Sequence, residues 1–156
     1  MKLEQVGLRV RNMERSLDFY TKALGLKVRA RGDTRSWGGG LWVQLEDPRS
    51  HRNLELNWYP RGSLFGTPYV VGGGVDHVDF TIGVAPVSRL ERTYRRLLRM
   101  GARPTKYLPS VTGGWMASVL DPDGIWITIG RQPTVAERAA VPSEHAPSPR
   151  KARARS

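Results

Sequence analysis

The chain has 156 residues, 39% of them hydrophobic, and a net charge of +11, enough for one domain with a buried core. It has no cysteine, which excludes disulfides, thiolate metal sites and cysteine nucleophiles and goes with a cytoplasmic location. No apolar run reaches the ~18–20 residues of a membrane span, and the N-terminal MKLEQVGLRV lacks the apolar segment of a signal peptide, so no membrane contact is expected.

In chain order, QVGLRVR at 5–11 alternates as a strand with Val6, Leu8 and Val10 on one face and Gln5, Gly7 and Arg9 on the other. MERSLDFYTKALG then has helical spacing, with Met13, Leu17, Tyr20 and Leu24 in one stripe. Asn12 suits its N-cap and Gly25 its C-cap. A Gly-rich stretch with Trp37 and Gly38–Gly40 leads into the strands of GGGLWVQLEDP and RNLELNWY. His51 falls in the exposed hairpin loop between them. In the second of these strands Leu54, Leu56 and Trp58 oppose Glu55, Asn57 and Tyr59. PRGSLFGTPYVVGGG, whose Gly72–Gly74 end it, has turn chemistry throughout and is read as a linker over 61–74.

A second round follows. HVDFTIG puts Val78, Phe80 and Ile82 opposite His77, Asp79 and Thr81. VSRLERTYRRLLRMGA reads as a helix burying Val87, Leu90, Tyr94, Leu97 and Met100, its arginines solvated. GGWMASVLDPDG and IWITIG close the round, with Trp115 as a pocket edge or a packing residue. The three isoleucines of IWITIG leave Trp126, Thr128 and Gly130 on the other face. The two rounds register: Val6 with Val78, Gly25 with Gly101, Gly39-Gly40 with Gly113-Gly114, Asp47-Pro48 with Asp121-Pro122, and Glu55 with Thr128, at offsets of 72, 76, 74, 74 and 73. Each reads β-α-β-β-β.

The pattern predicts an α+β fold, two tandem βαβββ modules at 1–60 and 75–130 whose curved mixed β-sheets form a cavity with the helices outside. Residues 131–156, rich in Pro, Ala, Ser and Arg, are expected to be a mostly disordered basic tail with one helical turn near Val135–Ala140 and a solvated His145. The tail carries +4 of the net charge and the rest is spread over 1–130, so nucleic acid is not expected as a partner. The polar strand faces bring together Gln5, Glu55 and His77, donor types that suit Zn²⁺, Ni²⁺, Mn²⁺ or Fe²⁺. An antiparallel sheet with one solvated polar face is the other reading of the same alternation.

The segments QVGLRVRNMERSLDFYTKALGLKV, NLELNW, GVDHVDF and SVLDPDGIWITI resemble the vicinal oxygen chelate superfamily, which includes glyoxalase I, bleomycin-resistance proteins, fosfomycin-resistance enzymes and extradiol dioxygenases. The pattern is most similar to glyoxalase I. That resemblance implies a divalent metal held by one residue on the first strand and one on the last strand of each module. Gln5, Glu55 and His77 match three of these positions, and the fourth, where the family carries Glu, falls on Thr128. A neutral hydroxyl is a poor divalent-metal ligand and has no basicity near pH 7, so Glu55 and Asp79 are the candidate bases. Asp79 has an alternative as an ion-pair partner of Arg9. Arg9 matches a substrate-carboxylate contact of the family, and Asn57 and Trp126 are further candidates for substrate binding. The resemblance further implies a homodimer, with Gln5 and Glu55 of one chain facing His77 and Thr128 of the other. Two functions remain open: a glyoxalase-like, metal-dependent lyase or isomerase for a small oxygenated or thioester-like substrate, and a metal-independent, bleomycin-resistance type of protein that binds a small-molecule antibiotic.

Overall fold

Asn12 opens the first helix as its position predicts, accepting the Arg15 N–H at 2.9 Å. In the computed structural model, which describes residues 5–35, 39–60 and 77–140, β1 is Val6–Arg9 and α1 is Met13–Asp18. The helix then loosens into a π-helical turn over Phe19–Ala23. β2 is Lys27–Asp33, β3 Leu41–Glu46 and β4 Asn53–Trp58. The second round has β5 at His77–Val84, α2 at Val87–Arg99, β6 at Arg103–Pro104, β7 at Met116–Leu120 and β8 at Trp126–Gln132, followed by α3 at Val135–Ala139.

Both sheets follow one plan. Their strand orders are β1-β4-β3-β2 and β5-β8-β7-β6. In each, the first and last strands of the round pair in parallel and the other neighbours are antiparallel. The fold is thus the predicted pair of tandem βαβββ modules with mixed sheets. Each sheet turns its apolar face to the helices. Leu45, Leu56, Leu90, Leu97, Ile125, Ile127 and Ile129 are almost wholly buried in one core shared by both modules, each worth about 1.5–3 kcal/mol of burial.

Three local features depart from the pattern. The stripe on the first helix is centred on Ser16, Phe19, Tyr20 and Ala23, with Met13, Leu17 and Leu24 only half-buried. The π turn adds a residue to one turn and rotates the face. Val6, predicted to be in the core, is 50% exposed at the start of its strand. Trp115, also half exposed, is not a buried packing residue; its ring lies 5.8 Å from the Arg131 guanidinium. On α2 the buried positions are Leu90, Tyr94 and Leu97, as predicted, while Val87 and Met100, also expected in the core, are half-buried. The linker 61–74, Trp37, Gly38, the Gly72–Gly74 run and the tail from 141, with His145, lie outside the described residues.

The modules lock together through the turn Asp121-Pro122-Asp123-Gly124. Gly124 takes a left-handed φ of 91°, which suits a residue without Cβ. Asp121 Oδ1 accepts the N–H groups of Asp123 and Ile125, both at 2.8 Å. Its Oδ2 accepts the Tyr20 hydroxyl at 3.0 Å. Burial pushes the Asp121 carboxyl up and the Tyr20 phenol well up. Asp123 accepts the Arg11 N–H and an Arg15 guanidinium N–H, both at 3.0 Å, and the hydroxyl of the buried Ser16. The second module's turn therefore holds the start of the first module's helix.

β8 runs to Gln132, past residue 130, and α3 stands where a helical turn was expected. Arg131, buried to 9% exposure, ties the two. It donates to the carbonyls of Gly114 and Ala85 and to Glu137. Glu137 also accepts the Thr134 N–H at 2.8 Å in a capping box. The Arg131 hydrogen bond, with those of Thr134, lowers the Glu137 carboxyl from 4.5 to about 2. A depressed carboxylate contributes stability above its unfolded value and loses it as pH falls through its folded value. Docking of α3 is therefore expected to weaken from about pH 4.5 down towards pH 2, as seen in the NMR shifts of the Val135–Ala139 amides. Glu137→Gln should remove that transition; its persistence would mean that another group controls the helix.

Candidate functional site

The polar faces of the two sheets each present a compact cluster beside the parallel strand pair. In the first, Gln5 precedes β1, and Glu55 lies on β4 one diagonal step along the register set by Val6 against Leu54. Gln5 Nε2 donates to Glu55 Oε2 at 2.6 Å. Asn57 Nδ2 donates to Glu55 Oε1 at 3.1 Å. Gln44 on β3, directly across from Glu55, donates to Gln5 Oε1 at 2.5 Å. Glu55 thus holds two amide donors, and the cluster is half-buried rather than sealed. Arg9 lies over the Tyr59 ring, 4.6 Å from its centroid, a contact worth about 0.5–1 kcal/mol at such a site.

The second cluster repeats the diagonal. His77 on β5 sits across from Trp126, and Thr128 is two residues further along β8. His77 Nε2 is 2.7 Å from Thr128 Oγ1 and 2.9 Å from Asp79 Oδ1. The Trp126 indole N–H donates to Thr128 Oγ1 at 3.2 Å. Thr128 is buried, whereas the His77 and Asp79 side chains are 49% and 72% exposed. The Trp126 ring meets those of His77 and Tyr107 edge-on, at 6.2 and 5.8 Å.

Gln5 with Glu55, and His77 with Asp79 and Thr128, thus form two separate groups of neighbours. Among the described residues no three His, Cys, Asp or Glu side chains stand close enough together to hold a metal ion, so Glu55 does not join His77 and Asp79 within one chain. In the second cluster the spacing of His77 Nε2 and Asp79 Oδ1, 2.9 Å, suits an ion. Ligands at about 2.0–2.2 Å from a metal and at right angles to one another stand about 3 Å apart, close to the separation seen. Sequence reasoning missed Gln44 and Tyr107. The alternation of LWVQLE does put Gln44 on the polar face, beside Trp42 and Glu46. Tyr107 lies in a loop, where no period marks it. No helix among the described residues is long and apolar enough to cross a membrane.

A sequence model described as the Glyoxalase/Bleomycin resistance protein/Dioxygenase superfamily matches residues 2–129. The lactoylglutathione lyase of Escherichia coli O157:H7 is 28% identical over 134 residues, covering 83% of this chain and 91% of that protein. Among solved structures, the trypanothione-dependent glyoxalase I of Leishmania major superposes with a TM-score of 0.62 at 27% identity, over 89% of this chain and 92% of that one. The fosfomycin resistance protein FosX of Listeria monocytogenes, solved with Mn(II) and a dihydroxypropylphosphonic acid, shares the fold with a TM-score of 0.60 at 12% identity, over 88% of this chain and 96% of its own.

Proposed function

The chain belongs to the Glyoxalase/Bleomycin resistance protein/Dioxygenase superfamily, and from that premise we propose that it is a divalent-metal-binding, glyoxalase-like protein whose site is completed between two copies of the chain. One observation carries this reading. The Gln5–Glu55 pair and the His77–Thr128 pair occupy the same diagonal of two equivalent sheets, yet they stand apart within one chain. A second copy that brings the Gln5–Glu55 edge against a His77 edge supplies three of the donors of one coordination sphere and leaves positions open for substrate.

When bound, a divalent ion in such a place polarises a substrate oxygen as a Lewis acid. The chain's own residues do the rest. Gln5 and Asn57 hold the Glu55 carboxylate on the polar face, where it can accept a proton from a carbon next to a carbonyl. Arg9, at the end of β1, offers a charge for an acidic group of the substrate. Trp126 and Tyr107 form an aromatic edge against which an apolar part of the substrate can lie. The substrate class consistent with these groups is a small oxygenated or thioester-like compound. The lactoylglutathione lyase relative supports lyase or isomerase chemistry, while Thr128 at the fourth position argues against that particular activity.

Metal content by mass spectrometry and Ni²⁺ titration test the reading. The wild type is expected to bind about one ion per chain, and His77→Ala to bind none. Mixing His77→Ala chains with Glu55→Ala chains should restore part of the binding, because a crossed dimer of the two keeps one intact site. Failure of the wild type to bind would remove the metal reading. Binding without rescue in the mixture would remove the crossed dimer.

The second reading, a metal-free binding protein of bleomycin-resistance type, is favoured by Thr128, whose hydroxyl is shared between His77 and Trp126. It predicts wild type without metal and a ligand retained by the His77→Ala variant.

A further inference from the structure

One of the differences between the two sheets is reciprocal. In the first, β1 has Gly7 and β4 has Asn57. A Cβ at Gly7 would come to 3.2 Å from Asn57 Nδ2, so the amide from β4 leans over the glycine and reaches Glu55. The equivalents in the second sheet are Asp79 on β5 and Gly130 on β8, the latter without a side chain and paired with Thr81. The polar group has changed strands. It now comes from β5, directly across from Thr128, and touches His77.

We propose that Asp79 supplies the second carboxylate to the divalent ion, in place of the one that position 128 lacks. This rests on the metal reading above. Glu55 alone leaves a divalent cation with one net positive charge, and Asp79 neutralises it. Asp79 Oδ1 stands 2.9 Å from His77 Nε2, about the separation of two adjacent ligands on one ion. The carboxylate is 72% exposed on the open side of its sheet, free to meet an ion brought by the other copy. Thr128, buried and bonded also to the Trp126 indole, meets the same Nε2 of His77 and would release it to the ion.

Ni²⁺ titration of the full-length protein, followed by calorimetry, tests this with four proteins. Asp79→Asn is expected to weaken Ni²⁺ binding at least tenfold without changing the thermal midpoint of the metal-free protein. His77→Ala should abolish binding, and Thr128→Val should leave it within about threefold of wild type. The Asp79→Asn loss should persist in 1 M salt, where the Debye length is about 3 Å and a remote charge no longer acts. Wild-type affinity in Asp79→Asn, or a loss that disappears in 1 M salt, would overturn the assignment of Asp79 while the metal reading stands on His77→Ala. Wild type without Ni²⁺ binding would overturn both.

Discussion

Asp123→Ala is expected to destabilise the fold by about 3–5 kcal/mol, the cost of breaking a buried, charged hydrogen-bond network by removing one partner. The Asp123 side chain is fully buried and accepts from the Arg11 backbone, the Arg15 guanidinium and the Ser16 hydroxyl. Its loss removes the acceptor of the Arg11 N–H, the Arg15 guanidinium and the Ser16 hydroxyl and leaves a small void between the modules. A loss of that size is a large part of the 5–15 kcal/mol that holds a typical domain. Urea denaturation gives the measurement. Asp123→Asn should cost less, since its oxygen can still accept from Arg11 while the charge facing Arg15 is gone. A change below about 1 kcal/mol in Asp123→Ala would show that the turn does not join the modules.

Thr128→Glu is expected to do two opposite things. Position 128 is 8% exposed and lies directly across from Asp79. A carboxylate there faces a like charge in the metal-free protein, which should become less stable by about 1–3 kcal/mol. A divalent ion relieves that repulsion and gains a ligand. The affinity for Mn²⁺ or Ni²⁺ should therefore rise by about tenfold or more, equivalent to about 1.4 kcal/mol. The rise in thermal midpoint on adding metal should exceed that of wild type. An unchanged affinity would mean that residue 128 does not face the ion.

Much of this was legible in the sequence because it rests on short-range periodicity. The offsets between the two rounds give the module plan, and alternation gives the faces of β1, β4, β5 and β8. Asn12 and Gly25 mark the helix ends through local chemistry alone. The candidate site was legible as four strand positions, and the structure does place Gln5 against Glu55 and His77 against Thr128. What periodicity could not show is long-range or phase-dependent. The π turn at Phe19–Ala23 rotates the buried face by an amount no fixed period contains. Ser16 reads as a surface serine until Asp123, 107 positions away in the chain, is folded against it. The contact between Asp79 and His77 depends on rotamers, and Arg9 was an equal candidate from the alternation alone. Arg131 looked like the first residue of a loose tail, because nothing local reveals that two carbonyls and Glu137 converge on its guanidinium.

The turns that close the two rounds are alike in sequence position and unlike in use. Asp47 spends its carboxylate within its own loop, on the Ser50 hydroxyl and the N–H groups of Arg49 and Ser50, and His51 takes the left-handed corner with φ of 55°. Asp121 divides its carboxylate between its own turn and Tyr20 of the other half, and Asp123 turns its carboxylate to Arg11, Arg15 and Ser16 there. The duplication is thus symmetrical in architecture but directional in dependence: the N-terminal half needs the C-terminal turn to seat its helix, whereas the Asp47 carboxylate serves its own loop. A chain with its two halves exchanged in order would have to rebuild this socket. Residues 1–60 alone would carry a helix whose buried Ser16 and Tyr20 have lost the carboxylates that receive them.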